Sequence, residues 1–477
     1  MTEPNIAADP RLGSALTVDH IAEQLTNGRL PLAAFGHLEP TAVGSVDIDR
    51  GMSATAPDGR KWSSRQRDGL LLVRIHGEPL NVLYVDRNPS TLSETELAEK
   101  VWKGSLEKLR VHAAEHGCLA APDGPGSLLR ISSADEGGCA GQRTDGANGS
   151  VAVIISTCGR EQQLVRCVQS LLAQRCENME IIVVDNSPTS GNTRAAVARF
   201  TAFGDRVRYV REPRRGLSVA RNRGIHETNA EIVAFTDDDV VADQAWLKWL
   251  LAPFDDPAVR VSCGMVLPLE LETPAQKRFE EYAGFCKGMR RSVYGPETGP
   301  RRGLLLYPFI NGLVGVGNNM AFRRAELLET GAFDPALGAG SPAGSCEETR
   351  AFAQAILHGG RIAYEPRALC WHEHRRDGDS LCGQIYGYGS GLGAVLARAL
   401  LSDPRFYISV AKSLRIVLGM RRSVAVRAGE DSTASEKPAE LLRARRRGII
   451  RGPWLYAASM RRARRLGLYE AVPPDDA

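Results

Sequence analysis

Three consecutive carboxylates, Asp237, Asp238 and Asp239, close the run E-I-V-A-F-T-D-D-D at 231–239. The apolar residues before them, Ile232, Val233, Ala234 and Phe235, suit a buried parallel strand. The aspartates then fall at the carboxyl end of that strand, where open α/β sheets bind their ligands. Adjacent like charges repel, and a hard divalent ion bridging to phosphates would relieve the repulsion. The plain alternative is a solvated acidic turn before a helix at Trp246.

Which reading holds depends on the elements around the triplet. At 151–156, V-A-V-I-I-S reads as a buried strand ending in T-C-G-R. A helix follows, with Leu164, Val165, Val168, Leu171 and Leu172 on one face. Strands at 181–184 and 207–210 and helices at 193–203 and 218–227 continue the alternation. The spacing is that of right-handed βαβ units and a parallel sheet, which makes the triplet the tip of its fourth strand. The first strand–helix turn, S-T-C-G-R-E, has one glycine where G-x-G-x-x-G would bind a dinucleotide. It also lacks the G-K-[ST] of a P-loop.

The rest of the chain bounds the setting. A net charge of +4 over 477 residues gives no reason to expect nucleic acid as a partner. The ten cysteines are scattered, with no C-x-x-C pair, and read as reduced thiols. The chain shows neither a signal-peptide core nor an unbroken apolar run of about 18 residues. The expected location is cytoplasmic, at most peripheral at the inner face of the membrane. Residues 1–14 are expected to be disordered, and 15–118 to form a small α+β domain. Within it lie strands at 70–75 and 81–85 and a helix over 93–115, whose Ser93 and Glu96 have capping-box spacing. A Gly/Ser/Pro/Ala-rich linker spans 119–149, the α/β domain 150–393, and a helical basic region 394–477. From residue 410 there are about 15 Lys/Arg against about 7 Asp/Glu. At 448–468, Ile449, Ile450, Trp454, Leu455, Tyr456 and Met460 alternate with arginines. That suits an interfacial helix on anionic lipid, or a basic helix docked on the protein's own surface. Residues 427–438 read as a flexible linker, and the Gly/Tyr-rich 384–393 as a helix with small faces, packing on the α/β domain or on a membrane surface.

Taken in order, V-A-V-I-I-S-T-C-G-R, I-I-V-V-D-N-S, G-L-S-V-A-R-N-R-G, T-D-D-D, G-N-N-M-A-F-R-R, C-E-E-T and W-H-E-H-R resemble the motifs of the family 2 nucleotide-sugar glycosyltransferases. The resemblance covers 151–393, roughly half the chain. It implies a GT-A fold, a Rossmann-like mixed and mainly parallel sheet flanked by helices. It also implies inverting sugar transfer from a nucleotide-sugar donor, most simply a UDP-sugar, with Mg2+ or Mn2+. The acceptor, whether glycan, lipid or small molecule, is left open.

The resemblance assigns roles to residues. Asp185 would contact the base or ribose; its alternative is an Asx turn with Asn186. Thr157 and Arg160 would bind base and ribose, with a surface arginine as the alternative for Arg160. Arg221 and Asn222 would steady the aspartates or the diphosphate, or lie on a solvated helix face. Asp237 and Asp239 would hold the cation, His372 would complete the metal site with His374 as substitute, and Asp238 would reach the sugar or cap the turn. Glu347 and Glu348 open an apolar helix, where they complement its dipole or supply the base. Glu348 matches the family's catalytic Asp with a side chain one methylene longer. Gly317 would let backbone approach the sugar, or belong to a packed turn. Two rival functions share such a sheet: a sugar nucleotidyltransferase, which wants a G-x-G-T-R loop, and a catalytically silent binding scaffold.

Overall fold

A computed structural model describes residues 40–117, 123–131, 149–189, 191–298, 307–309, 314–402 and 439–470. The disorder expected at 1–14, most of the 119–149 linker and all of the 427–438 linker lie outside them. Near the N-terminus, β1 (Thr41–Asp47), β2 (Ala54–Thr55), β3 (Asp68–Ile75) and β4 (Glu78–Val85) form a sheet in the order β2-β1-β3-β4. β3 and β4 make the expected hairpin, and β1 runs parallel to β3. Helix α1 (Glu94–His116) begins with the capping box of Ser93 and Glu96. Alternation along β3 splits its side chains between two faces. Leu71, Val73 and Ile75 pack with Leu97, Val101 and Leu109 of α1. Leu70 and Leu72, with Val43 and Val82, share a core with Leu267, Leu269, Leu271 and Trp371 of the larger domain. The short helical turn Pro125–Leu128 buries Leu128 beside α1.

The larger sheet is built outward from β5 (Val151–Thr157). β6 (Met179–Asp185) and β7 (Val207–Arg211) add in parallel on one side, and β8 (Ile232–Asp237) adds in parallel on the other. The connecting helices are α2 (Glu161–Leu172), α3 (Asn192–Val197) and α4 (Leu217–His226). The helix expected over 193–203 gives way after Val197 to 3-10 turns, with Gly204 at φ 55°. The strand order reverses between β5 and β8, so a switch-point crevice opens above their carboxyl ends. Beyond β8 the sheet turns antiparallel. β9 (Val240–Ala242), α5 (Trp246–Leu251), β10 (Val259–Pro268), α6 (Pro274–Ala283), β11 (Ser292–Tyr294), β12 (Asn319–Arg323) and β13 (Arg361–His372) follow, with α7 (Arg324–Glu329) and α8 (Glu347–Leu357). The order is β11-β13-β10-β12-β8-β5-β6-β7, with β9 on β13. β12 lies antiparallel between β8 and β10, while β10 and β13 are parallel. Both faces are apolar. Val151, Val153 and Ile155 face Leu164, Val168 and Leu171, and Ala152 and Ile154 face Ala220 and Ile225.

Two helices close the structure, α9 (Gly378–Ser402) and α10 (Ala439–Arg465). α9 runs unbroken through 393–394, where the domain boundary was expected. The two helices lie side by side in the same direction, Leu381 near Leu441 and Arg398 on Tyr456. Their contact is made of glycine. A Cβ on Gly393 would stand 2.3 Å from the Ile449 carbonyl oxygen, and one on Gly448 would stand 2.3 Å from that of Tyr386. The small faces at 384–393, expected against the α/β domain or a membrane surface, pack on the C-terminal helix and on the α/β domain's loop at Ala343 and Ser345. Among the described residues, no helix is long and apolar enough to cross a membrane.

Candidate active site

The crevice above β5 and β8 is a cleft of about 1140 Å³. It is bounded by the strand tips, the end of α6, the glycine-rich loop before α8, and α9 with Arg445 of α10. Thr157, Arg160, Arg221, Asp237, Asp238, Asp239, Glu347, Glu348 and His372 all line it. Residues as far apart in sequence as Thr157 and His372 are gathered because each ends a strand or opens a helix at the same edge of the sheet.

The acidic triplet is not a solvated turn. Asp238 and Asp239 are buried, and Asp237 is one-third exposed at its side chain. Thr157 Oγ1 donates to Asp238 Oδ2 at 2.7 Å. Arg160 Nη1 donates to Asp239 Oδ2 at 2.5 Å and Asp238 Oδ1 at 3.2 Å. Burial, then the charge of Asp239, pushes the Asp238 carboxyl up to about 7. Asp237 is raised as well, by burial against the opposing pull of Arg221. Burial also disfavours charge on Asp239, but His372 and Arg160 overcome it and hold that carboxyl well below the usual range. Burial and mutual repulsion thus disfavour full charge on all three at once.

A cation fits here on the structure's own terms. Asp239 Oδ1 is buried, and its contact with His372 Nε2, at 3.2 Å, is an ion pair without hydrogen-bond alignment. Ligand atoms of Asp237, Asp239 and His372 all fall within 4.8 Å of one another. Two carboxylate oxygens and one imidazole nitrogen form a donor set for a small divalent cation. His374 does not substitute for His372 but stands behind it. His372 Nδ1 is 2.9 Å from His374 Nδ1, and His374 Nε2 is 2.5 Å from Glu280 Oε1. With Glu280 accepting from His374 Nε2–H, a neutral His374 can accept at Nδ1 from His372, which turns the Nε2 of His372 toward Asp239. Neither Glu280 nor the relay was visible in sequence; the only signal was a Glu on the buried face of α6, two positions before Tyr282.

Arg221 joins the two walls of the cleft. It is buried at 2% exposure, within 6 Å of the rings of Phe235 and Phe333. Nη1 donates to Glu347 Oε1 at 2.8 Å. Nη2 donates to the Gly317 carbonyl oxygen at 2.8 Å and to Asp237 Oδ1 at 3.4 Å. Glu347 is therefore engaged by the arginine, while Glu348 is not held by it. Its hydrogen bond is from Thr349 Oγ1, at 3.2 Å. Burial, then the neighbouring charge of Glu347, pushes Glu348 up to about 8.

Two expected residues stand elsewhere. Asp185 ends β6, but its Oδ1 accepts from the Ser187 N–H and its Oδ2 from the Tyr209 hydroxyl, as an Asx turn would. Asn222 is bound through both ends of its amide to the backbone of Phe333. A further residue belongs to the cleft: Asn318 is buried, and its Oδ1 has no partner. Its neighbour Asn319 is structural, tying β12 to Trp246, Met265 and Ala368.

A Rossmann-like sheet with carboxylates and a histidine at its switch point, faced by a second carboxylate pair, has the organisation of a GT-A transferase. Residues 152–328 match the profile described as "Glycosyl transferase family 2". The chain is 24% identical over 192 residues to the glucosyl-dolichyl phosphate glucuronosyltransferase of Haloferax volcanii, covering 40% of this chain and 56% of that one. It is 26% identical over 230 residues to the pre-mycofactocin glycosyltransferase of Mycobacterium tuberculosis, covering 47% and 43%. It thus spans about half the length of these curated relatives. Among solved structures, a mannosyltransferase of Pyrobaculum calidifontis in complex with GDP-Man and Mn2+ aligns at 17% identity and a TM-score of 0.39, over 69% of this chain and 92% of that one.

Proposed function

We propose that the protein transfers a sugar from a nucleotide-sugar donor, UDP-linked in the simplest case, to an acceptor hydroxyl with inversion. One observation carries the reading. Arg221 bonds Asp237 of the cation triad and Glu347 of the opposite wall, so donor and acceptor functions face one cleft. Asp237, Asp239 and His372 would hold Mn2+ or Mg2+, and the nitrogen ligand favours Mn2+. Such a cation, when bound, offsets charge growing on the diphosphate leaving group.

The remaining roles belong to the chain. Glu348 accepts the proton of the acceptor hydroxyl as its oxygen bonds the anomeric carbon; the bond from that carbon to the diphosphate breaks, and the nucleoside diphosphate leaves. Glu347 keeps Arg221 in place and Arg221 keeps the Gly317 backbone at the cleft floor. Thr157 and Arg160 orient Asp238 and Asp239 toward the donor. The Oδ1 of Asn318 offers an acceptor to a sugar hydroxyl. The test is turnover of a panel of nucleotide sugars with Mn2+, for the parent chain and for Asp239→Ala and Glu348→Gln. Loss of turnover in both supports the reading. Turnover that survives removal of the metal, or donor binding without turnover on any acceptor, overturns it, the latter in favour of a silent scaffold.

A further inference from the structure

The outward face of α10 is not explained by sugar transfer. Its inward face is spent on packing: Leu441, Gly448, Gly452, Tyr456, Ser459 and Ala463, spaced by three, four and seven, are buried. On the opposite face Ile450 and Trp454 are 66% and 70% exposed. Arg446 and Arg447 flank them on one side, and Arg461, Arg464 and Arg465 on the other, all exposed. None of these five arginines has a carboxylate partner among the described residues. Glu440, the acidic residue of the helix, is paired with Arg278. At the C-terminal end, Ala458, Leu466 and Arg461, Arg462 and Arg465 line a shallow depression of about 430 Å³. An exposed tryptophan and isoleucine between clusters of unpaired arginines give both signals that hold an amphipathic helix on anionic lipid, apolar insertion and charge. A second copy of the same face would bring arginine against arginine. A partner bound by charge alone would leave the apolar centre unused.

We propose that this face of α10 seats the protein on an anionic lipid surface, with Trp454 and Ile450 entering the headgroup boundary and the arginines meeting phosphate. α10 is bound to the wall of the cleft: Ser459 Oγ accepts from the Ala343 N–H at 3.1 Å, and Arg462 donates to the carbonyl oxygens of Gly340 and Arg215. The seat is thereby rigidly joined to the loop that leads into Glu347. The proposal does not depend on the reaction assigned above.

The experiment is co-sedimentation of the full chain with vesicles of phosphatidylglycerol and phosphatidylcholine, against vesicles of phosphatidylcholine alone. Binding is expected to the mixed vesicles only, and to fall as salt is raised. Arg461→Gln, Arg464→Gln and Arg465→Gln combined should weaken it by roughly tenfold or more. Trp454→Ala should weaken it at unchanged charge. All four side chains are exposed, so the melting temperature should not move. Millimolar inorganic phosphate should compete poorly, because a free anion engages the charge but not the apolar centre. Equal binding to neutral vesicles, no binding to either, or full binding by the triple variant would each overturn the proposal. So would a dimer in sedimentation that Trp454→Ala dissociates while vesicle binding is unaffected.

Discussion

At the residue level, the site is a set of charges whose protonation the fold arranges. Glu348 shows this most directly. As a base it acts unprotonated, and its pKa is raised to about 8 by burial and Glu347. The acid limb of kcat/KM should therefore lie near neutral pH rather than near 4.5, rates falling as pH is lowered through it. Stability follows the opposite sign. The folded state favours the protonated form, so the contribution of Glu348 is present in acid and lost as pH rises toward 8. Glu348→Gln should lower kcat by about 10²–10⁴ with donor affinity retained, and should remove that limb. The histidine relay gives a second prediction. His374→Ala leaves the expected ligands untouched but frees the ring of His372, so Mn2+ affinity by titration calorimetry should fall about 10–100-fold. That Thr157, Arg160, Asp237, Asp239, Glu348 and His372 meet in one cleft was legible in sequence because each sits in a short motif near the end of an element. Glu280 was not, and His374 and Asn318 were met only as a substitute ligand and as part of a motif, since their contacts depend on which distant side chain they meet. Asp185 and Asn222 show the converse, plausible residue types whose polar atoms local partners occupy.

At the level of elements, the βαβ half of the sheet could be read from hydrophobic runs alone, and the antiparallel half could not. β12 is five residues that pair with β8 and β10 on either side; nothing in N-M-A-F-R dictates their direction. β1, with small residues at Ala42, Gly44 and Ser45, was missed because its strand character comes from its neighbours. The pairing of α9 with α10 was foreshadowed only by the small faces read at 384–393, without an indication that the C-terminal helix would be the partner. That contact can be tested. A methyl at Gly448 would press on the Tyr386 carbonyl, backbone that has little room to yield. Gly448→Ala should cost about 1–3 kcal/mol in thermal or urea unfolding. It should also lower kcat more than it raises donor KM, because α10 holds the Ala343 loop and so the start of α8.

At the level of the whole molecule, the N-terminal sheet and the α/β domain share one hydrophobic core, a contact on which the reading of two domains and a linker is silent. Polar contacts cross the same boundary. Arg74 of β3 lies between Asp47 at 2.8 Å and Asp243 at 2.6 Å, all three largely buried, and Thr41 pairs with Leu271. Sequence could not show this, because the apolar face of a small sheet looks the same whether it meets its own helix or another domain. Removing the guanidinium would strand two carboxylates in a poorly hydrated seam, which in buried pairs costs about 3–5 kcal/mol. Arg74→Met should therefore destabilise the molecule by that order. The decisive feature is how it unfolds. With a shared core, the parent chain should give one calorimetric transition reported alike by probes in both sheets, and Arg74→Met should shift that transition as a whole. If the sheets were merely tethered, the variant would lose only the N-terminal transition while donor binding in the cleft kept its melting temperature.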